Sequence, residues 1–292
     1  MSKLNLESLM AALVFARDDP DHAEFLRKML SSVGVGGVYS DLEIREAVEA
    51  GHIVIHPLNP ESIRGSSVDV TLGEWFYPTD RIDNQAGYNP FDREDVLRYF
   101  GEAKRAVPHS EWSEKHKGMT FKGIPEDHPI IVLHPGERIL AHTHEFIGIN
   151  PPGTTEMRAR STWGRNGIVV CKDAGWGDPG YINRWTYEVQ NDNSEVVPLP
   201  VGERIAQIIF HHTGPCERNY GVGGKYQGGI TIEEIVAKWR PEQLLPQAYK
   251  DQRKLPLPVD SILESMGGGS IERQNNGWRP EPDWDDDGRV HS

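Results

Sequence analysis

Short apolar segments rich in β-branched residues recur through the middle of the chain, and this pattern constrains the fold more than any other feature. They are separated by Pro and Gly turns, of which Pro135-Gly136 is one, in a chain that holds 21 Pro and 30 Gly. The segments are Ile53–Ile55, Val68–Leu72, Ile130–Leu133, Arg138–Ala141, Gly167–Cys171, Trp185–Gln190, Val196–Leu199 and Arg204–His211. Short strands at this spacing predict a mainly β architecture, either a barrel or a jelly roll.

Helical patterns flank this region. Residues 1–31 have apolar side chains at helical spacing, and a Gly-rich break follows them. Ser40 and Glu43 have the spacing of a capping box, which predicts a helix from there to about Ala50. After Gly229 two further helices are predicted, over Ile232–Trp239 and Glu242–Lys250.

Three regions follow from these patterns. Residues 1–37 are predicted to be a helical N-terminal extension, and residues 38–229 a β domain. Residues 83–126 are polar, with one helical stretch at 94–106, and are interpreted as an insertion. Residues 230–292 are predicted to be a C-terminal extension, first helical and then disordered and acidic.

Charge and cysteine usage exclude several classes of protein. The net charge of −13 argues against binding to a nucleic acid polymer, because that affinity comes from neutralising phosphates. Two cysteines cannot form a disulfide framework, and neither a signal peptide nor a membrane-length apolar run is present. These features predict a cytoplasmic protein.

The segment Arg158–Arg165 combines three arginines with Ser161 and Thr162. The planar guanidinium group of Arg suits phosphate oxygens, and hydroxyl groups can add short hydrogen bonds. A solvated charged turn would have the same composition. The segment alone does not distinguish the two interpretations.

Two more segments follow at short distance. Asp178-Pro179-Gly180 is a turn signal, and by itself it indicates only a hairpin loop. In the strand beyond it, Thr186 and Glu188 share one face and Tyr187 the other. If the strand is buried on both faces, Glu188 needs a functional reason to lie there; otherwise it is a solvent-facing glutamate.

In this order, the segments resemble the dCTP deaminase/dUTPase family, and its deaminase branch in particular. Arg160–Gly167 is similar to the family's Arg-Ser-Ser-x-x-Arg-x-Gly run. Ala174, Asp178–Gly180 and Thr186–Glu188 match its Ala, Asp-Pro-Gly and Thr-Leu-Glu elements. Further similar segments are Tyr39–Ile44, Gly51–Pro57, Ser67–Gly73, Leu133–Glu137, Val201–Gln207 and Gly224–Gly228.

The resemblance implies a distorted jelly roll or β-barrel of the dUTPase-like type. It also implies a homotrimer whose active sites lie at subunit interfaces, and deamination of dCTP to dUTP and ammonia without zinc. Mg²⁺ would enter with the triphosphate. The zinc-dependent deaminases use H-x-E with P-C-x-x-C. Here no cysteine follows Cys216, so that signature is incomplete.

The resemblance also assigns residues. Glu188 would be the general base, with Ser161, Arg165 and the Ala174 carbonyl positioning the attacking water. Asp178 would hold the deoxyribose, while Tyr220 and Lys225 would lie on a flap that closes over the nucleotide. The full nucleotide-binding set is Arg160, Ser161, Thr162, Trp163, Gly164, Arg165, Asp178, Thr186, Tyr187, Glu188, Gln207, Tyr220 and Lys225.

Alternatives to a dUTP-forming deaminase remain. A bifunctional member would also cleave the triphosphate and release dUMP and pyrophosphate, and Gly164 and Ala174–Trp176 are more similar to that branch. A non-catalytic nucleotide sensor is a second alternative. A pure dUTPase would not need Glu188. Asn183, Arg184 and Trp185 depart from the family pattern, so any unusual substrate preference is expected to arise there.

Overall fold

The computed structural model describes residues 37–79, 87–172 and 174–251. The helices are α1 (Asp41–Glu49), α2 (Arg93–Phe100), α3 (His109–Lys115), α4 (Ser161–Arg165) and α5 (Ile232–Lys238). The strands are β1 (Ile53–His56), β2 (Ile63–Arg64), β3 (Ser67–Thr71), β4 (Trp75–Pro78), β5 (Lys104–Arg105), β6 (Val107–Pro108), β7 (Pro129–Leu133), β8 (Arg138–Ile149), β9 (Thr154–Ala159), β10 (Ile168–Val169), β11 (Trp176–Gly177), β12 (Ile182–Asn191), β13 (Val197–Pro200) and β14 (Arg204–His211). The predicted mainly β class is confirmed.

The strands form antiparallel sheets that stay open and do not close into a barrel. The first sheet has six strands in the order β10-β12-β8-β4-β5, with β1 also paired to β8. The second has five strands in the order β11-β9-β14-β3-β2, and a third consists of β13-β7-β6. Strands β2, β4, β5, β6, β9 and β11 were not predicted from the sequence.

The main core lies between the first and second sheets, because its buried side chains come from both. Tyr187 and Val189 contribute from the first sheet, and Ile208 and Phe210 from the second. All four side chains have no exposed surface. Alternation along each strand therefore sends the neighbouring residues to the outer faces.

A separate hydrophobic cluster covers the outer face of the first sheet, and we call it the outer cluster. Its buried members are Tyr77, Val96, Phe100, Leu140, Phe146, Ile182, Ile235, Trp239, Leu244 and Leu245. Val96 and Phe100 belong to α2, within the segment interpreted as an insertion. The last four come from the C-terminal extension. Two segments that are far apart in sequence therefore bury the outer face of the first sheet, which solvent would otherwise contact.

Helix α1 begins where the capping box predicts. The Glu43 amide donates to the Ser40 hydroxyl at 3.3 Å, and the Ser40 amide donates to Glu43 Oε2 at 2.8 Å. These two bonds satisfy amide groups that the first helical turn leaves without partners.

The C-terminal extension differs from the prediction. Instead of a helix over 242–250 it forms two 3-10 turns, Pro241–Leu244 and Ala248–Lys250. Pro246 lies between them, and proline removes a helical hydrogen bond and clashes with the preceding turn. The predicted helix over 94–106 is also shorter, since it ends at Gly101, whose φ is +66°.

Several predictions lie outside the described residues. These are the N-terminal helix within residues 1–36 and the disordered acidic tail. None of the helices that the structure does describe is both long and apolar enough to cross a membrane.

Candidate active site

A cavity of about 440 Å³ opens on the outer side of the first sheet. Its walls are mostly aromatic and aliphatic, with a few polar side chains, which is the usual composition of a small-molecule site. It is lined by Leu140, Ala174, Trp176, Asp178, Tyr181, Trp185, Thr186, Glu188, Tyr220, Lys225, Tyr226, Leu244 and Pro246. The cavity thus brings together six residues that were predicted from the sequence to form the site: Ala174, Asp178, Thr186, Glu188, Tyr220 and Lys225.

Glu188 reaches this cavity through the alternation of β12. Tyr187 and Val189 on either side of it pack fully buried in the core, so Glu188 points to the outer face. There it lies opposite Leu140 of β8 in the strand register. Glu188 is half-buried because other segments cover this face. The strand is therefore enclosed on both sides, and Glu188 is not a solvated surface residue.

The side chain of Tyr187 lies on the opposite face of β12 from Glu188 and is fully buried in the core. Its hydroxyl donates to the Thr71 carbonyl oxygen at 3.3 Å, inside the core. Burial raises the pKa of Tyr187 well above its ordinary value. The physical reason is the two-residue period of a strand, which cannot place Tyr187 and Glu188 on the same face.

The turn before β12 brings Asp178 to the cavity mouth. The Tyr181 amide donates to the Asp178 carbonyl oxygen at 2.9 Å, and Gly180 has φ +88°. A side-chain carbon on Gly180 would lie 1.9 Å from Asn219 Oδ1. Glycine at this position therefore permits both the turn conformation and the close approach of the chain at Asn219.

The flap, residues 219–228, packs over this turn. The Tyr220 amide donates to the Pro179 carbonyl oxygen at 2.9 Å, and the Tyr226 amide donates to the Tyr220 hydroxyl at 3.3 Å. Burial raises the pKa of Tyr220. The ammonium group of Lys225 lies 5.5 Å from the centre of the Tyr226 ring. The flap therefore closes one side of the cavity with aromatic rings and a cation.

The remaining predicted residues lie elsewhere. Helix α4 carries Ser161, Thr162, Gly164 and Arg165 exposed on the surface, and none of the residues from Arg160 to Arg165 is among the described residues that line the cavity. The indole of Trp163 donates to the Arg204 carbonyl oxygen at 3.1 Å.

A buried carboxylate organises this second group. Asp69, 5% exposed, pairs with Arg160 at 3.4 Å and with Arg204 at 3.1 Å. Gln207, opposite Asp69 in the strand register, accepts a hydrogen bond from the Ser67 hydroxyl at 3.4 Å. Asp69 and Arg204 were not identified from sequence, because a carboxylate in a short strand gives no local sign of its distant partners.

Other cavity residues were also missed. Leu140, Trp176, Tyr181, Trp185, Tyr226, Leu244 and Pro246 form most of the walls. The unusual bulk of Trp185 was a visible signal. Leu244 and Pro246 had none, because only the fold brings residues so far along the chain to Glu188. Over the described part of the chain, no group of three or more His, Cys, Asp or Glu side chains is arranged to hold a metal ion.

A cavity lined by aromatic rings, with the Glu188 carboxylate among its polar groups, has the composition of a site for a small molecule. The family model described as dCTP deaminase-like matches residues 38–213. The chain belongs to this family of enzymes.

Individual proteins agree with the family match. The chain is similar to the dCTP deaminase, dUMP-forming, of Thermobifida fusca, with 31% identity over 193 residues, covering 65% of this chain and 87% of the relative. It is 34% identical over 198 residues to the protein of the same name from Methanopyrus kandleri, covering 65% and 91%. Among solved structures, the 2'-deoxycytidine 5'-triphosphate deaminase of Agrobacterium tumefaciens has 18% identity and a TM-score of 0.43, covering 61% of this chain and 49% of that one.

Proposed function

We propose that this enzyme deaminates dCTP and then cleaves the triphosphate, so that its products are dUMP, pyrophosphate and ammonia. The observation that carries the proposal is that the half-buried Glu188 lines the same aromatic cavity as Asp178. The dUMP-forming activity in the names of the relatives favours this reaction over release of dUTP. The dUTP-forming alternative has the same first step and lacks the second.

Glu188 is the proposed general base of the first step. It takes a proton from water as the water oxygen bonds to C4 of cytosine, and it passes this proton to N3; it then takes the second proton from the new C4 hydroxyl and passes it to the amine. The C4–N bond breaks, ammonia leaves and a carbonyl remains at C4. Ala174 also lines the cavity, and its carbonyl oxygen is proposed to orient the water.

Asp178 and the flap hold the rest of the nucleotide in this proposal. Asp178 lies at the cavity mouth, where it contacts the deoxyribose. In the second step it orients a water that attacks the α-phosphorus, and pyrophosphate leaves as the bond between the α- and β-phosphates breaks. Thr186 contacts the nucleotide beside Glu188, and Tyr220 and Lys225 cover it. Mg²⁺ bound to the triphosphate is part of the substrate.

The exposed group around α4 completes the site from a neighbouring subunit of a homotrimer. Arg160, Ser161, Thr162 and Gly164 would bind the triphosphate with Trp163, and Arg165 with Ser161 would position the water. Gln207 lies next to this group, because it is opposite Asp69 in the strand register. Exposure of Ser161, Thr162 and Arg165 in one chain supports a role at a contact between chains.

Product analysis tests the proposed reaction. Purified protein is incubated with Mg²⁺ and dCTP, and ammonia, pyrophosphate, dUTP and dUMP are measured together. Equal amounts of ammonia and pyrophosphate are expected. Ammonia with accumulating dUTP would identify the deaminase without the second step, and dCTP binding without ammonia would identify a sensor. A zinc chelator is expected to leave ammonia release unchanged; inhibition reversed by zinc would contradict the mechanism.

A further inference from the structure

The segment of residues 230–250, which we call the strap, lies beyond residues 38–213 that match the family. It contains α5 and the two 3-10 turns. Ile235, Trp239, Leu244 and Leu245 are each 8% exposed or less, within the outer cluster. The strap is therefore a packed part of the β domain and not a loose extension.

The strap is bonded to the flap. The backbone amide of Gln247 donates to the Tyr226 hydroxyl at 3.0 Å. Asn183 on β12, 1% exposed, donates through its one amide nitrogen to the Tyr226 carbonyl oxygen at 2.6 Å and to Gln243 Oε1 at 3.1 Å. The side-chain oxygen of Gln227 accepts from the Ile182 amide at 2.8 Å. Sheet, flap and strap thus meet in one hydrogen-bonded junction at Asn183.

The neighbours of Asn183 hold the same segment. The guanidinium group of Arg184 lies 4.5 Å from the ring centre of Trp239 and 4.8 Å from that of Phe146. Such contacts between a cation and aromatic faces are favourable when partly desolvated. Asn183 and Arg184, which depart from the family pattern, are therefore explained by docking of the strap.

The strap also reaches the cavity itself. Leu244 and Pro246 line it, and Leu244 packs in the same cluster as Leu140, which lies opposite Glu188. With Glu188 acting at C4, as the proposed function requires, the base lies in the cavity that this wall lines, and C5 is the ring carbon bonded to C4.

We propose that residues 241–247 are part of the nucleotide site. Gln243 and Gln247 are positioning residues that hold the flap over the cavity. Leu244 and Pro246 are specificity-determining residues that limit the size of a substituent at C5 of the base. The inference rests on the proposed function for its substrate, but the flap contacts are independent of it.

The first experiment compares Gln243→Ala with Glu242→Ala, an exposed neighbour on the same turn. Hydrogen exchange of residues 219–228 without nucleotide is expected to be severalfold faster in Gln243→Ala and unchanged in Glu242→Ala. In Gln243→Ala the KM for dCTP should rise about fivefold with kcat retained. Gln243→Glu keeps an acceptor for Asn183, so it should show the wild-type exchange rate and the wild-type KM. Wild-type flap exchange in Gln243→Ala would overturn the positioning role.

The second experiment compares Leu244→Ala with Leu245→Ala. Both leucines are buried to a similar extent, at 4% and 3% exposed, but only Leu244 lines the cavity in the described part of the chain. Both variants should lose comparable stability, while only Leu244→Ala should shift the kcat/KM ratio of 5-methyl-dCTP to dCTP, by about tenfold. Equal kcat/KM ratios in both variants would overturn the role of Leu244 in specificity.

A separate failure of the proposed function is recognisable. If wild-type protein releases no ammonia, the proposed reaction is wrong, whereas flap exchange still tests Gln243. The Leu244 comparison is then made by calorimetric binding of dCTP and 5-methyl-dCTP, with the same expected shift and the same contradicting result.

Discussion

The proposed site divides into two regions of opposite character. The cavity region holds the half-buried Glu188 and the exposed Asp178 among aromatic rings, with walls contributed by the flap and the strap. The α4 region carries Ser161, Thr162 and Arg165 exposed, and its partly buried Arg160 is tied to the buried Asp69. One region is a pocket that contains the reacting carboxylates, while the other is a cationic surface.

This difference teaches how the work is divided. A carboxylate that moves protons benefits from restricted access of bulk water, and in a single chain Glu188 is half-buried. Binding of a triphosphate needs several cations, and among the described residues that line the cavity only Lys225 is cationic. The α4 region of a second chain would provide the rest.

The largest effect is expected from Glu188→Gln. Ammonia release from dCTP should fall by about 1000-fold or more, because the general base is lost. Binding of dCTP, measured by calorimetry, should change little. Glu195→Gln, at an exposed position, is the control. Activity of Glu188→Gln within tenfold of wild type would remove Glu188 from the mechanism.

Loss of Arg165 tests the other region. Arg165→Ala alone should lower ammonia release about 100-fold. Coexpression of Arg165→Ala and Glu188→Gln chains should restore about a quarter of the wild-type sites, because random assembly pairs an intact cavity with an intact helix that often. No recovery in mixed trimers would place both regions of each site in one chain.

Asp178→Asn separates the two chemical steps. Pyrophosphate release should fall about 100-fold while ammonia release stays within tenfold, so that dUTP accumulates. The measurement is a time course of both products from dCTP. Parallel loss of ammonia and pyrophosphate would show that Asp178 serves binding and not the second step.

The burial of His142 predicts a smaller effect, a dependence of the free energy of unfolding on pH. Burial lowers the pKa of His142 to about 3, and its Nε2 accepts from the Trp75 amide at 3.2 Å. An unfolded chain protonates this histidine near pH 6.5, whereas the folded chain does not. The free energy of unfolding should therefore fall by roughly 1 kcal/mol per pH unit below 6.5 and be independent of His142 above it.

Denaturant unfolding between pH 7 and pH 5 measures this slope. His142→Gln, which offers an acceptor and a donor of similar reach, should give a flatter dependence than wild type. Equal slopes in the two proteins would mean that His142 does not carry the effect.

Much of this architecture is readable from local patterns. Ser40 and Glu43 predicted the start of α1, and alternation around Glu188 predicted which residues share its face. The same alternation places the side chain of Tyr187 on the opposite face, in the core. The order of motifs indicated the family, which the match over residues 38–213 shows.

The strap marks the limit of such reading. Its contacts with Asn183, Tyr226 and Leu140 join residues separated by tens of positions, and no period or spacing encodes them. Strand β9 was missed for a related reason, because its burial depends on β14 and β11 as neighbours. Sequence patterns report which face a residue occupies, but not what covers that face.

The outer cluster has a consequence for inheritance. Helix α2 and the strap both contribute buried apolar side chains, among them Phe100 and Trp239, to the cluster on the outer face of one sheet. A lineage that deletes either addition exposes part of that apolar face. We expect relatives to carry both additions or neither, and a chimera that receives the strap to need the insertion as well.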